Sequence, residues 1–107
     1  MYLKNKKCLF IGHPCCDFTN ECLDILDTFE MNVTCVFSKR ENLSIPKRIL
    51  NWQGDFIFSY RNFWLLNKAV LSSAKIMAIN FHPGTPNFAG SGSFSWAVYE
   101  NADKFGV

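Results

Sequence analysis

The chain has 107 residues, 49% of them hydrophobic, 16% aromatic and 19% charged, with a net charge of +2. That length provides one domain (1–107) or part of one, and an apolar content this high, with eleven Phe, excludes intrinsic disorder. Lys and Arg are scattered singly and no apolar run approaches the roughly 20 residues that span a bilayer, so neither nucleic acid nor a membrane is an expected partner.

Lys4, Lys6 and Lys7 give the N-terminus a basic start, but Cys8-Leu9-Phe10-Ile11 breaks at Gly12-His13-Pro14, too soon for a signal peptide. Lys7 to Ile11 is instead expected as a first strand, ended by a glycine that permits a sharp turn. From Asp17 to Phe29 the apolar residues Cys22, Ile25, Leu26 and Phe29 recur at helical spacing, with Asp17 or Thr19 as candidate cap. Val33 to Phe37 is the second strand, rich in β-branched and aromatic residues, and Lys39 to Leu43 is a polar loop. A short helix starts around Ser44-Ile45-Pro46, with Pro in its first turn, runs through Ile49, Leu50 and Trp52, and stops at Gly54. Phe56 to Ser59 is the third strand and Phe63 to Leu71 a further helix. Ile76 to Phe81 is the fourth strand, apolar on both faces until Asn80, as a strand covered by helices on each side would be.

Strands alternating with helices imply βαβ units with right-handed crossovers. The expected fold is therefore α/β, a Rossmann-like, mainly parallel sheet with helices on both faces. Ligands of such sheets bind beyond the carboxyl ends of the strands. The five cysteines, Cys8, Cys15, Cys16, Cys22 and Cys35, form no C-x-x-C pair and are expected as free thiols in the cytoplasm.

Gly12 stands alone before His13-Pro14, so the three-glycine dinucleotide fingerprint is missing, and the second strand closes with Phe37-Ser38-Lys39 rather than an acid. His13, Cys15 and Cys16 lie close together, but adjacent cysteines rarely reach one tetrahedral ion, and no metal is expected. The run Asn80-Phe81-His82-Pro83-Gly84-Thr85-Pro86 is more informative. Asn80 and His82 are two apart at a strand end, so their side chains lean to one side: an amide donor and an imidazole, able to stabilise an oxyanion and move a proton. The same residues also fit a turn whose polar side chains satisfy local backbone groups.

The segment Asn80–Gly92, followed by Trp96-Ala97-Val98-Tyr99 and Lys104-Phe105-Gly106-Val107, resembles the N-x-H-P signature of the folate-dependent formyltransferases. Phe58-Ser59-Tyr60-Arg61-Asn62 resembles the stretch lining that family's folate pocket, and the likeness runs from about Asp55 to Val107. It implies 10-formyltetrahydrofolate as formyl donor and an amine as acceptor. Asn80 and His82 would be catalytic, and Ser59, Tyr60, Arg61, Asn62 and Phe63 would bind folate, with Phe88, Gly90 and Ser91 closing the pocket. Pro83-Gly84-Thr85-Pro86 with Asn87-Phe88 is most similar to the nucleotide-sugar branch, although Ala89 stands where the family carries Arg. The acceptor implied is an amino sugar linked to a nucleotide.

The family's third catalytic residue, an Asp, would lie beyond Val107, and Lys104 to Val107 look like the opening of a further strand. The expectation is the N-terminal part of a longer enzyme, incomplete at the C-terminus, inactive as 107 residues and able to self-associate through an unpaired sheet edge. The alternative is a non-catalytic folate- or protein-binding α/β domain derived from that family.

Overall fold

The computed structural model describes residues 2–14 and 17–81. Four strands form one sheet: β1 (Lys7–Gly12), β2 (Asn32–Phe37), β3 (Gly54–Tyr60) and β4 (Ala74–Phe81). Between them lie α1 (Asp17–Thr28), α2 (Lys47–Leu50) and α3 (Lys68–Ser72). All pairings are parallel, in the order β2-β1-β3-β4. This is the α/β, Rossmann-like arrangement expected from the alternation of elements.

Side chains alternate between the two faces of a strand, so the register sorts the core into two layers. Leu9 and Ile11 of β1, Ile57 of β3 and Val36 of β2 share one face with Ile49 of α2, Val70 of α3 and Trp64. Cys8 and Phe56 take the other face, with Met31 and, from the α1 side, Leu26 and Phe29. Phe56 and Phe58 stack there with ring centroids 5.6 Å apart. The helices thus cover both faces, α1 on one and α2 with α3 on the other. Deleting a side chain such as Leu9 or Ile57 would cost about 2–5 kcal/mol, more than any single surface contact contributes.

The chain departs from the sequence expectation at four places. First, Ile25, placed in the buried stripe of α1, is 56% exposed, and the helix residue most deeply buried is Thr19. Thr19 does not cap the helix; its Oγ accepts a hydrogen bond from the His13 N–H at 3.3 Å, tying α1 to the turn that leaves β1. Second, α2 is a single turn with Pro46 as its extended N-cap, and Gly54 opens β3 instead of stopping the helix. A Cβ on Gly54 would collide with the Trp52 indole, which lies against it.

Third, Phe63 to Asn67 are not helical. Asn67 accepts a hydrogen bond from the Val70 N–H through its side chain at 2.9 Å, so the cap delays α3 until Lys68. Fourth, among the described residues no helix covers both faces of β4, and Ile76, Met77 and Phe81 are 40%, 49% and 43% exposed. Among the described residues β4 pairs only with β3, and α3 packs against its start, where Ala74 meets the cluster of Val70. A bulge between Gly54 and Phe56 resets the β3–β4 register at its start.

Gly12 ends β1 where α1 comes closest. A Cβ there would sit 2.8 Å from both the Phe10 ring and the Thr19 methyl, atoms held in a packed layer. Gly12→Ala is expected to lower the unfolding free energy by about 1–3 kcal/mol, as overpacking does, measured by urea titration. An unchanged midpoint would mean that the helix can lift without cost.

The thiols of β1 and β2 are shaped by the same burial. Cys8 and Cys35 are free, and burial pushes the Cys8 thiol from its ordinary 9.0 up to about 12. Burial raises Cys35 as well, with Arg48 pulling it back. Below pH 9 both the native and the unfolded chain keep the Cys8 proton. Between pH 9 and about 12 only the unfolded chain releases it, so stability falls as pH rises. The slope from this thiol is at most about 1.4 kcal/mol per pH unit. Unfolding measured across that range for the native chain and for Cys8→Ala should show a difference that shrinks with pH. A constant difference would show that the thiol ionises freely in the folded protein.

Candidate functional site

The strand order reverses its direction of growth between β1 and β3, since β2 lies on one side of β1 and β3 with β4 on the other. In open parallel sheets the crevice at such a switch point, beyond the carboxyl ends of the strands, is the usual place for a ligand. Four segments meet at that end: Gly12-His13-Pro14 after β1, Ser38 to Asn42 after β2, Arg61 to Trp64 after β3, and Asn80-Phe81 closing β4.

Hydrogen bonds between distant parts of the chain fix the first three of these. The Ser38 N–H donates to the Gly12 carbonyl at 2.8 Å, extending the β1–β2 ladder by one residue. The fully buried Ser38 Oγ accepts from the Phe63 N–H, also at 2.8 Å. The Trp64 indole N–H donates to the Asn42 carbonyl at 2.9 Å, and the Asn42 N–H closes a turn onto Lys39 at 3.2 Å. The loop after β2 is therefore pinned to the loop after β3 at two points.

Phe63 carries the contacts that follow from this pinning. Its ring meets the His13 ring edge-on, centroids 5.9 Å apart at 66°. The Arg40 guanidinium lies over it at 5.4 Å from the centroid. Arg61 begins the loop with a φ of 54°, a left-handed conformation that costs a non-glycine residue about 1–2 kcal/mol and turns the chain sharply out of the sheet.

Of the residues expected to bind folate, Ser59 is 3% exposed, and its Oγ has no hydrogen-bond partner among the described residues. Tyr60 is half-buried as the last residue of β3, and Arg61 is exposed. Asn62 spends its amide on the loop itself: Oδ1 accepts from the Trp64 N–H at 2.9 Å, and Nδ2 donates to the Trp64 carbonyl at 3.1 Å. Asn62 thus shapes the turn. Phe63 is half-buried in the cluster described above.

Asn80 pairs in register with Ser59, which pairs with Ile11, which pairs with Val36. The four share one face of the sheet, and Asn80 is the exposed member of the row. His82, Phe88, Gly90 and Ser91 lie outside the described residues. Of the paired Asn–His arrangement, only Asn80 is therefore placed, beside the unsatisfied hydroxyl of Ser59.

Ser38, Arg40 and Trp64 belong to this end of the sheet without having been singled out in the sequence. The one local sign was Ser38, a polar residue closing an apolar strand where dinucleotide folds carry an acid. Arg40 sat in a polar loop of no evident distinction. No protein-family model matches the sequence, and no curated protein matches it.

Ser38→Ala removes the acceptor that holds the Phe63 N–H in a buried site. The expected loss is about 1–3 kcal/mol, the desolvation cost of an unpaired donor. Amide hydrogen exchange at Phe63 should accelerate well beyond what the change in global stability explains. Unchanged exchange would show that the β2 and β3 loops are held by other means.

Proposed function

We propose that this chain contributes the folate-binding end of a 10-formyltetrahydrofolate-dependent N-formyltransferase acting on an amine, an amino sugar linked to a nucleotide. Its support is the likeness of Asn80–Gly92 and of Phe58–Asn62 to that family's motifs, together with where β4 ends. The observation that carries the reading is the register pair Ser59–Asn80 at the carboxyl end of the sheet. A buried hydroxyl without a partner costs roughly 1–3 kcal/mol and is retained in a native fold for a reason, of which a ligand is one.

In this reading the acceptor amine attacks the formyl carbon, and the carbonyl oxygen gains negative charge. The Asn80 side-chain amide donates a hydrogen bond to that oxygen. His82 takes the proton from the attacking nitrogen and returns one to the folate nitrogen as the carbon–nitrogen bond to folate breaks. The products are a formamide and tetrahydrofolate. Aromatic and apolar surface around Tyr60 and Phe63 suits a pterin ring, and Ser59 has an oxygen free to meet its polar edge. Free thiols at Cys8 and Cys35 accord with a reducing cytoplasm.

No helix among the described residues is long and apolar enough to cross a membrane.

Titration with a stable folate analogue, followed by amide chemical shifts, tests the placement. Shifts are expected at Ser59 to Phe63 and at Asn80. Ser59→Ala should weaken binding by about three- to tenfold, the worth of a neutral hydrogen bond. Shifts confined to Asp17–Thr28, or no binding at all, would overturn the reading. Binding by this chain with no formyl transfer from any extended form of it would favour the non-catalytic alternative.

A further inference from the structure

β2 is an edge strand that carries none of the usual protection. Among the described residues it pairs only with β1, in consecutive parallel pairs from Asn32 to Phe37 without a bulge. The strand contains no charged residue and no proline, the devices that keep an edge from pairing with another chain. Every residue from Asp17 to Phe81 is described, so the chain on both sides of β2 is in place and none of it takes this edge. β4 is different, since it leads directly into residues 82–107, which lie outside the described residues.

The ladder to β1 decides which backbone groups point outward. The Asn32 N–H donates to the Lys6 carbonyl at 2.9 Å, and the Ser38 N–H to the Gly12 carbonyl at 2.8 Å. Inward groups recur at every second residue, so Thr34 and Val36 also face β1, while Val33, Cys35 and Phe37 turn N–H and C=O to the open edge. The side chains of these three share the face that α1 covers, where Val33 joins the core cluster and Phe37 is 43% exposed. Phe18 of α1 is near: its neighbour Thr19 packs on Gly12, the register partner of Phe37, and Phe18 is 60% exposed.

We infer that β2 binds β2 of a second copy of this chain, antiparallel, across a two-fold axis through Cys35. Such an axis keeps each face of the sheet on its own side, so residues that meet across it must share a face. With Cys35 on the axis, Val33 of each copy lies opposite Phe37 of the other. These are the residues whose backbone groups point outward, and each pair exchanges both of its hydrogen bonds. The two α1 helices lie on the same side of the joined sheet and run antiparallel. Phe18 of one copy is thereby brought towards the end of α1 that carries Ile25, itself 56% exposed.

Charge fits the same arrangement. The chain entering β2 carries Asp27 and Glu30, and the chain leaving it carries Lys39 and Arg40, with Glu41 one residue further. All are exposed, and the Lys4 ammonium 3.7 Å from Glu30 is an exposed partner that leaves the carboxylate available. An antiparallel pairing sets the acidic approach of one copy beside the basic exit of the other, at both ends.

One strand and the flank of one helix make a small interface, so the dimer is expected to be weak. Sedimentation of the full chain from about 10 μM to about 1 mM should show a monomer–dimer equilibrium. Amide hydrogen exchange at the two ends of that range locates the contact. Val33, Cys35 and Phe37 should exchange about tenfold more slowly at the high concentration, whereas Thr34 and Val36, already bonded to β1, should change much less. Phe37→Lys places a charge opposite Val33 on both sides of the axis and should weaken the dimer about tenfold or more. Glu30→Lys should weaken it about threefold, and adding Arg40→Glu to that variant should restore it. Circular dichroism of the dilute variants should match the native chain, because the substituted residues are exposed.

A chain that stays monomeric throughout would overturn the proposal, as would a dimer whose new protection falls outside β2. So would a Phe37→Lys chain that associates like the native one. A double variant as weak as Glu30→Lys would overturn the antiparallel arrangement. None of these measurements involves folate, so their outcome is separate from that of the formyltransferase reading.

Discussion

Everything in this fold hangs on the burial of β1. Cys8, Leu9, Phe10, Ile11 and Gly12 are all buried, and from Cys8 to Ile11 the strand is paired on both edges. A strand in that position cannot carry a polar side chain, and it has none from Cys8 to Gly12. It also forces its last residue to be small, because α1 must return across the same face within a few residues. Gly12 and Thr19 meet there, and the Thr19 hydroxyl answers the first backbone donor after the strand. The position of the switch point, and with it the end of the sheet available to a ligand, follows from β1 being central.

The contrast with β4 shows how one alternation of apolar residues supports two environments. Ala74–Phe81 is as apolar as β1 over much of its length, yet most of it is exposed among the described residues. Local composition sets whether a segment is extended; strand order sets whether it is covered. That is why the four strands were legible to within two residues, while the cover of β4 was not. The helix α3 departs from its expectation for a different reason. Asn62 and Asn67 each use a side chain to satisfy backbone nearby, and those bonds shorten a helix that periodicity alone would extend back to Phe63.

The site divides along the same line. Ser59 to Phe63 and Asn80 stand out in the sequence through a resemblance to a family motif, and what the structure adds is the register that sets Ser59 beside Asn80. Ser38, Arg40 and Trp64 were not, because their contacts bridge separations of 22 to 25 residues between loops whose composition is ordinary. The result is a carboxyl end built of two parts. One part centres on an unsatisfied hydroxyl beside an exposed amide. The other is the Arg40 guanidinium over the Phe63 ring, in loops tied together by hydrogen bonds that Arg40 is not seen to make.

The two indoles among the described residues stand at opposite ends of the sheet. Trp52 packs against Gly54, where β3 begins, whereas the buried Trp64 donates its N–H to the turn that bears Arg40. Indole emission responds to the polarity and hydrogen bonding around the ring. Trp64 is thus an optical probe built into the loop junction, with Trp52 as its internal reference. With Trp52 and Trp96 both replaced by Phe, Trp64 would be the single indole of the chain, and its emission would report on this junction without an added label.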